Sequence, residues 1–187
     1  MADLSNARVL ILATDGFENS ELFKPRQALL DAGAKITLAS IKTDPIQGVV
    51  DDSKPADTIT PELTLEQVDT DDYDMLLLPG GVGNPDKLRT EERAIEIVTE
   101  FFEDDKIIAA ICHAPWLLVE ADVVDGRRVT SWPSVRTDLE NAGADVVDEE
   151  VVVDGNLITS RKPDDIPAFN RAIIAALEAE LADEPVD

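Results

Sequence analysis

The chain has 187 residues, enough for one domain over 1–187 with a core that needs no covalent staples. Its 40 acidic residues outnumber 16 basic ones, and the net charge of −24 excludes nucleic acid and anionic membranes as partners. A hydrophobic content of 44% in periodic runs excludes an acidic disordered chain, and Asp-rich, Lys-poor usage fits a halophile whose self-repulsion is screened by salt.

Met1 to Asn6 carries neither a basic region nor a long apolar run, so no signal peptide is expected. One cysteine allows no internal disulfide and no run is long enough to span a bilayer, which predicts a soluble cytoplasmic protein. Arg8 to Ala13 is a continuous apolar strand of the kind buried on both faces. A polar turn, Thr14 to Ser20, leads into helical periodicity over Glu21 to Ala32, stopped at Gly33. Lys35 to Ile41 is the second strand, completing a right-handed strand–helix–strand unit. Pro45, Gly48, Pro55 and Pro61 break Asp44 to Thr70 into short extended pieces, read as a small hairpin laid over the sheet edge. Met75 to Leu78 is a third buried strand ending in Pro79-Gly80-Gly81-Val82-Gly83. Asn84 or Asp86 is placed to cap a helix running to about Phe102.

Ile107 to Ile111 reads as a further buried strand, and Pro115 opens a helical run. Beyond it lie a strand over Gly126 to Trp132, a short helix over Ser134 to Ala142, a hairpin turning at Asp154-Gly155, and a closing helix over Pro163 to Leu181. The tail from Ala182 is expected to fray. Strands alternating with helices predict an α/β protein with an open, mainly parallel sheet covered on both faces, whose ligands bind beyond the strands' carboxyl ends.

Three such ends carry the loops at Asp15 to Ser20, Pro79 to Gly83 and Cys112-His113, the last holding the only cysteine and the only histidine. A sharp strand-to-helix turn there has the form of a nucleophile elbow, with free amides and a helix dipole favouring a thiolate. Cys112 would otherwise be a small core residue; the elbow and the adjacent His113 favour the reactive reading. Glu18 either complements a helix dipole or bonds the thiol and carries a proton. The backbone N–H groups near Gly81 and His113 are candidates for an oxyanion hole. Asp86 either caps a helix or orients His113 as the third member of a triad. No metal site is expected from one Cys and one His. Gly80 to Gly83 lacks the Lys of a phosphate loop, and no cofactor is implied.

Asp15-Gly16-Phe17-Glu18, Leu78-Pro79-Gly80-Gly81, Asn84-Pro85-Asp86, Ala110-Ile111-Cys112-His113, Thr130-Ser131-Trp132-Pro133 and Glu149 to Gly155 resemble the PfpI family of intracellular cysteine peptidases. That family belongs to the ThiJ/PfpI superfamily, with its glutamine-amidotransferase-like fold. The likeness runs from about Arg8 to about Leu177. It implies a flavodoxin-like three-layer sandwich with Cys112 as nucleophile, His113 beside it and Glu18 in contact with the sulfur. It further implies a homo-oligomer, dimer or hexamer, in which Asp86 acts across an interface. Ala114 stands where the family usually has Gly, and Asp86 where the archaeal peptidases have Glu. The implied activity is a cofactor-independent cysteine hydrolase acting on a small carbonyl or peptide substrate: a peptidase, or a deglycase or glyoxalase-like stress enzyme. The alternative is a non-catalytic redox or stress sensor, or chaperone, that uses oxidation of Cys112.

Overall fold

The computed structural model describes residues 3–183. The chain opens with β1 (Arg8–Leu12), a two-residue β2 (Phe17–Glu18) and α1 (Asn19–Asp31). Next come β3 (Lys35–Ser40), β4 (Ile46–Val50), β5 (Lys54–Ile59), β6 (Leu63–Thr64) and β7 (Met75–Leu78). Helices α2 (Gly83–Leu88) and α3 (Glu92–Glu103) lead to β8 (Ile107–Ile111) and α4 (Pro115–Glu120). The remainder is β9 (Arg128–Val129), α5 (Arg136–Asn141), β10 (Asp145–Val146), β11 (Val151–Asp154), β12 (Leu157–Ser160) and α6 (Ile166–Asp183).

Seven strands form the main sheet in the order β11-β12-β8-β7-β1-β3-β6, parallel throughout except for the β11–β12 hairpin. The continuous apolar runs follow from burial on both faces. Along β1, Leu10 and Leu12 pack into the layer that holds α3, α4 and α5, while Val9 and Ile11 face the layer of α1 and α6. β7 divides in the same way, with Leu76 and Leu78 on one side and Met75 and Leu77 on the other. A two-faced sheet of this kind buries every side chain at its centre, so each of these large residues contributes about 1.5–3 kcal/mol. The expected three-layer α/β sandwich is what forms.

Several boundaries differ from expectation. The small hairpin of β4 and β5 does not lie on the sheet edge: it joins β2 in a separate three-stranded sheet at the carboxyl rim. The helix expected up to Phe102 is two helices, because Thr90 and Glu91 turn between α2 and α3. Asp86 lies inside the first turn of α2 and caps nothing. The strand expected over Gly126 to Trp132 shrinks to β9, which pairs with β10 outside the main sheet. The closing helix continues to Asp183, past the start of the expected frayed tail, and 184–187 lie outside the described residues, as do 1–2. Among the described residues no helix is long and apolar enough to cross a membrane.

Candidate active site

β8 ends at Ile111, and at Cys112 the backbone enters the left-handed region with φ 67°. For a residue with a Cβ this costs about 1–2 kcal/mol, so the turn must be held. Two hydrogen bonds hold it: the Cys112 N–H donates to the Ser160 carbonyl (3.0 Å), and the Cys112 carbonyl accepts from the Trp132 N–H (2.9 Å). Cys112 lies three residues before α4, on the carboxyl rim of the sheet, and is 5% exposed.

The loop after β7 closes over it. A Cβ on Gly80 would collide with Glu21 Oε2 and lie 2.7 Å from Cys112 Cβ, so only glycine lets this backbone approach the sulfur. Gly81 follows at φ +79°, which turns its N–H toward Cys112. The N–H of His113 also faces the sulfur, while the Gly80 N–H donates to Glu21 Oε2 (3.0 Å). Of the amides expected near Gly80-Gly81 and His113, those of Gly81 and His113 are therefore the ones turned toward the sulfur. Buried Asn84 fixes the loop: its Oδ1 accepts from Thr14 N–H (2.8 Å), and its Nδ2 donates to the carbonyls of Pro79 (2.9 Å) and Gly80 (3.3 Å).

The carboxyl group coupled to the sulfur is that of Glu21, on the inner face of α1, and not that of Glu18. Glu18 lies on β2, lines the same cleft, and accepts from Ser20 Oγ (3.4 Å) and the Asp51 N–H. The difference is one helical turn: the short β2 carries Glu18 to the rim, and α1, starting at Asn19, turns Glu21 inward. The sequence held a signal for this. Glu21, Leu22, Pro25 and Leu29 share the buried stripe of α1, and an acid on an apolar stripe needs a partner or a proton.

That acid is protonated at neutral pH. Burial pushes Glu21 up from the usual carboxyl range to about 8, with the charges of Glu18 and Asp52 adding to the rise and hydrogen bonds from Cys112 and Gly80 opposing it. Its Oε1 is buried with no hydrogen-bond partner, which a neutral carboxyl tolerates at far lower cost than a carboxylate. Burial also pushes the Cys112 thiol above its ordinary value, Glu21 adds to this, and the Gly81 and His113 amides pull it back. The expectation that amides and a helix dipole alone produce a resting thiolate is thereby corrected: desolvation outweighs them, and the two groups titrate as a pair.

His113 is buried, and desolvation holds its pKa below the ordinary value, with Asp52 opposing. The imidazole is therefore neutral at pH 7. Its Nδ1 lies 3.1 Å from Cys112 Sγ and its Nε2 3.3 Å from Ser134 Oγ. In the tautomer whose Nε2–H donates to Ser134 Oγ, Nδ1 accepts from the Cys112 thiol. The ring is clasped between Trp116 and Trp132, with centroids 5.2 Å and 5.7 Å away. Adjacent Cys and His side chains meet here because the positive φ at Cys112 bends the chain between them. Trp132, Ser134 and Asp52 join the site from loops that sequence spacing could not place there.

Asp86 does not join it. The residue is exposed on α2 and lies outside the cleft of its own chain. That cleft has a volume of ≈ 90 Å³; Glu18, Glu21, Cys112, His113 and Trp132 line it, and the β4–β5 tip at Asp51 and Asp52 forms its rim. The tip is fastened by a hydrogen bond from Val82 N–H to Asp52 Oδ1 (3.0 Å). A wider open groove of ≈ 450 Å³ along α3 offers arginine, threonine and glutamate side chains but no cysteine or histidine.

A parallel α/β sandwich with its cysteine on a strained elbow, beside an imidazole and a buried acid, defines the class of cysteine-elbow α/β proteins. The comparisons narrow this. The DJ-1/PfpI family model matches residues 7–176. General stress protein 18 of Bacillus subtilis is 43% identical over 173 residues, covering 91% of this chain and 98% of that protein. A Pyrococcus abyssi protein named as a deglycase is 43% identical over 171 residues, covering 91% and 99%. The structure of Drosophila melanogaster DJ-1beta aligns with a TM-score of 0.83 at 31% identity, covering 95% of this chain and 91% of that one. The chain belongs to the DJ-1/PfpI family.

Proposed function

We propose that this chain is a cofactor-independent cysteine enzyme in which Cys112 adds to the carbonyl of a small 2-oxoaldehyde or of an adduct derived from one. The observation that carries the reading is the 3.1 Å contact between Cys112 Sγ and His113 Nδ1 at the floor of a solvent-connected cleft. The cleft is small, ≈ 90 Å³, and Asp51 and Asp52 stand at its rim, which suits a small carbonyl group at the sulfur. The deglycase name carried by the Pyrococcus abyssi relative points the same way.

In the proposed reaction the thiol proton moves to His113 Nδ1 as Sγ bonds to the carbonyl carbon. The carbonyl π electrons go to oxygen, where the Gly81 and His113 amides are the nearest donors, and the proton on Nδ1 then neutralises it. The resulting hemithioacetal rearranges by proton transfer to a thioester, and water hydrolyses that to a 2-hydroxy acid and the free thiol. Cys112→Ala should lower hydroxy-acid formation from methylglyoxal by more than about a thousandfold. Undiminished turnover by that variant would overturn the proposal.

Asp86 enters only through a second copy. We propose, from the family resemblance, a homo-oligomer in which Asp86 acts across an interface; the exposure of Asp86 and Val82 is compatible with that. Light scattering after gel filtration tests this, and a monomeric enzyme with full activity would remove Asp86 from the site. The lone free cysteine fits a reducing, cytoplasmic compartment.

A further inference from the structure

On the other side of Trp132 from Cys112 lies a second cleft, of ≈ 270 Å³, lined by Pro133, Arg136, Asp148, Arg161 and Lys162 as well as the tryptophan. We propose that it is a subsite for an oxyanion, a carboxylate or phosphate, carried by the substrate at a distance from the carbonyl that Cys112 attacks. This rests on the reading of Cys112 as nucleophile and adds to it the class of substrate.

Charge is the first support. The chain has 16 basic residues in all, and three of them converge on this one cleft. The Cys112 cleft is lined instead by Glu18, Glu21, Asp51 and Asp52. An anionic group is repelled there and has one neighbouring place to go.

Continuity is the second support. Trp132 is a wall of both clefts, stacks on His113 and bonds the Cys112 carbonyl through its N–H. Pro163 lines the first cleft and Lys162, the preceding residue, lines the second. A substrate can therefore cross from one to the other over the indole.

The third support is unspent hydrogen-bonding capacity. Arg161 is held through all three of its nitrogens: Nε and Nη2 grip Asp165 (2.8 and 3.0 Å), and Nη1 reaches Asp148 Oδ1 (2.8 Å), so it acts chiefly as a buttress. Arg136 spends Nη2 on the same Asp148 oxygen (2.6 Å), yet its Nε is buried with no partner. One carboxylate oxygen thus serves two guanidinium groups. Lys162 meets only Asp164, at 3.7 Å, with that aspartate 87% exposed. An oxyanion in the cleft would accept charge-assisted bonds from the Arg136 guanidinium and the Lys162 ammonium, which Asp148 and Asp164 satisfy only in part.

Because Cys112 is the only cysteine, any thiol alkylation reports on it alone. The test compares N-phenylchloroacetamide with its 4-carboxyphenyl analogue, reading intact mass against time at moderate salt. The wild-type protein should react about tenfold faster with the carboxylate reagent, against the repulsion of the whole chain. Lys162→Gln and Arg136→Gln should each cut this preference, and together abolish it, while Asp148→Asn should enlarge it. Lys162→Gln removes a single weak contact, so it keeps the test decisive if Arg136→Gln fails to fold. A carboxylate reagent no faster than the neutral one, or a preference that survives both variants, overturns the subsite and leaves the nucleophile standing. Failure of both reagents to alkylate Cys112 overturns both.

Discussion

Glu21→Gln tests the protonated buried acid directly. A carboxyl whose folded pKa is raised keeps its proton after the unfolded chain has released one. Its share of stability is therefore complete below the unfolded value and is lost as pH rises toward and through the folded value. The rise from 4.5 to about 8 corresponds to at most about 5 kcal/mol lost by pH 8, at about 1.4 kcal/mol per unit. Gln keeps an oxygen for the Gly80 N–H and turns an amide toward the sulfur, so the partners survive and only the titration is removed. Urea unfolding of both proteins, in one-unit steps from about pH 5 to about pH 8, gives the difference free of the remaining carboxylates, which both chains share. The wild type should lose about 1 kcal/mol per unit relative to the variant. Parallel profiles would mean that Glu21 is ionised throughout, and the argument for a neutral donor at the sulfur would fail.

Other expectations follow from the same geometry. Gly81→Ala forces a Cβ to φ +79° and to 2.7 Å from the Glu18 nitrogen, so it should cost about 1–3 kcal/mol in thermal unfolding and slow Cys112 alkylation. His113 is held neutral by burial, so its contribution is present above the ordinary imidazole value and lost as pH falls below it; His113→Gln should flatten the acid side of the stability profile. Asp52→Asn removes the charge that opposes this burial, and NMR of the only imidazole should show its pKa fall further; an unchanged titration would refute the coupling. With a net charge of −24, the melting temperature should climb with added salt, and a flat response would show that self-repulsion is not a destabilising factor.

Much of the architecture was legible because burial on both faces writes itself into the chain. Leu10, Leu76 and Ile108 on one side of the sheet, with Val9, Met75 and Ile107 on the other, leave uninterrupted apolar runs that can be placed without knowledge of their neighbours. The elbow was legible for a related reason, since an apolar strand meets a proline-initiated helix across three residues. What escaped depended on angles that sequence spacing does not fix. Glu18 and Glu21 differ by three positions, and which one reaches the sulfur is decided by where α1 begins, two residues earlier than its periodicity suggested. The short β9 and β10 escaped because two-residue strands carry no period. Trp132 and Ser134 reach His113 through a loop whose course is set by one backbone bond to Cys112.

The absence of cations explains why this site needs a protonated acid. Among the described residues no lysine or arginine lines the Cys112 cleft, so a thiolate formed there has only dipoles to meet it: two amides and the Glu21 hydroxyl. The imidazolium formed in the same proton transfer has a separate partner in the charge of Asp52. The two halves of the ion pair are thus stabilised by different groups. Once Glu21 loses its proton, above about pH 8, the donor at the sulfur becomes a like charge beside it. On the acid side, a protonated His113 can no longer accept from the thiol. In the proposed reaction, turnover should therefore be confined between these limits by two buried groups, one required in its acid form and one in its base form. Desolvation is the largest cause of both shifts, and the exposed Asp52 at the rim adds to the rise of Glu21 and opposes the fall of His113, so the rim charge tunes both limits.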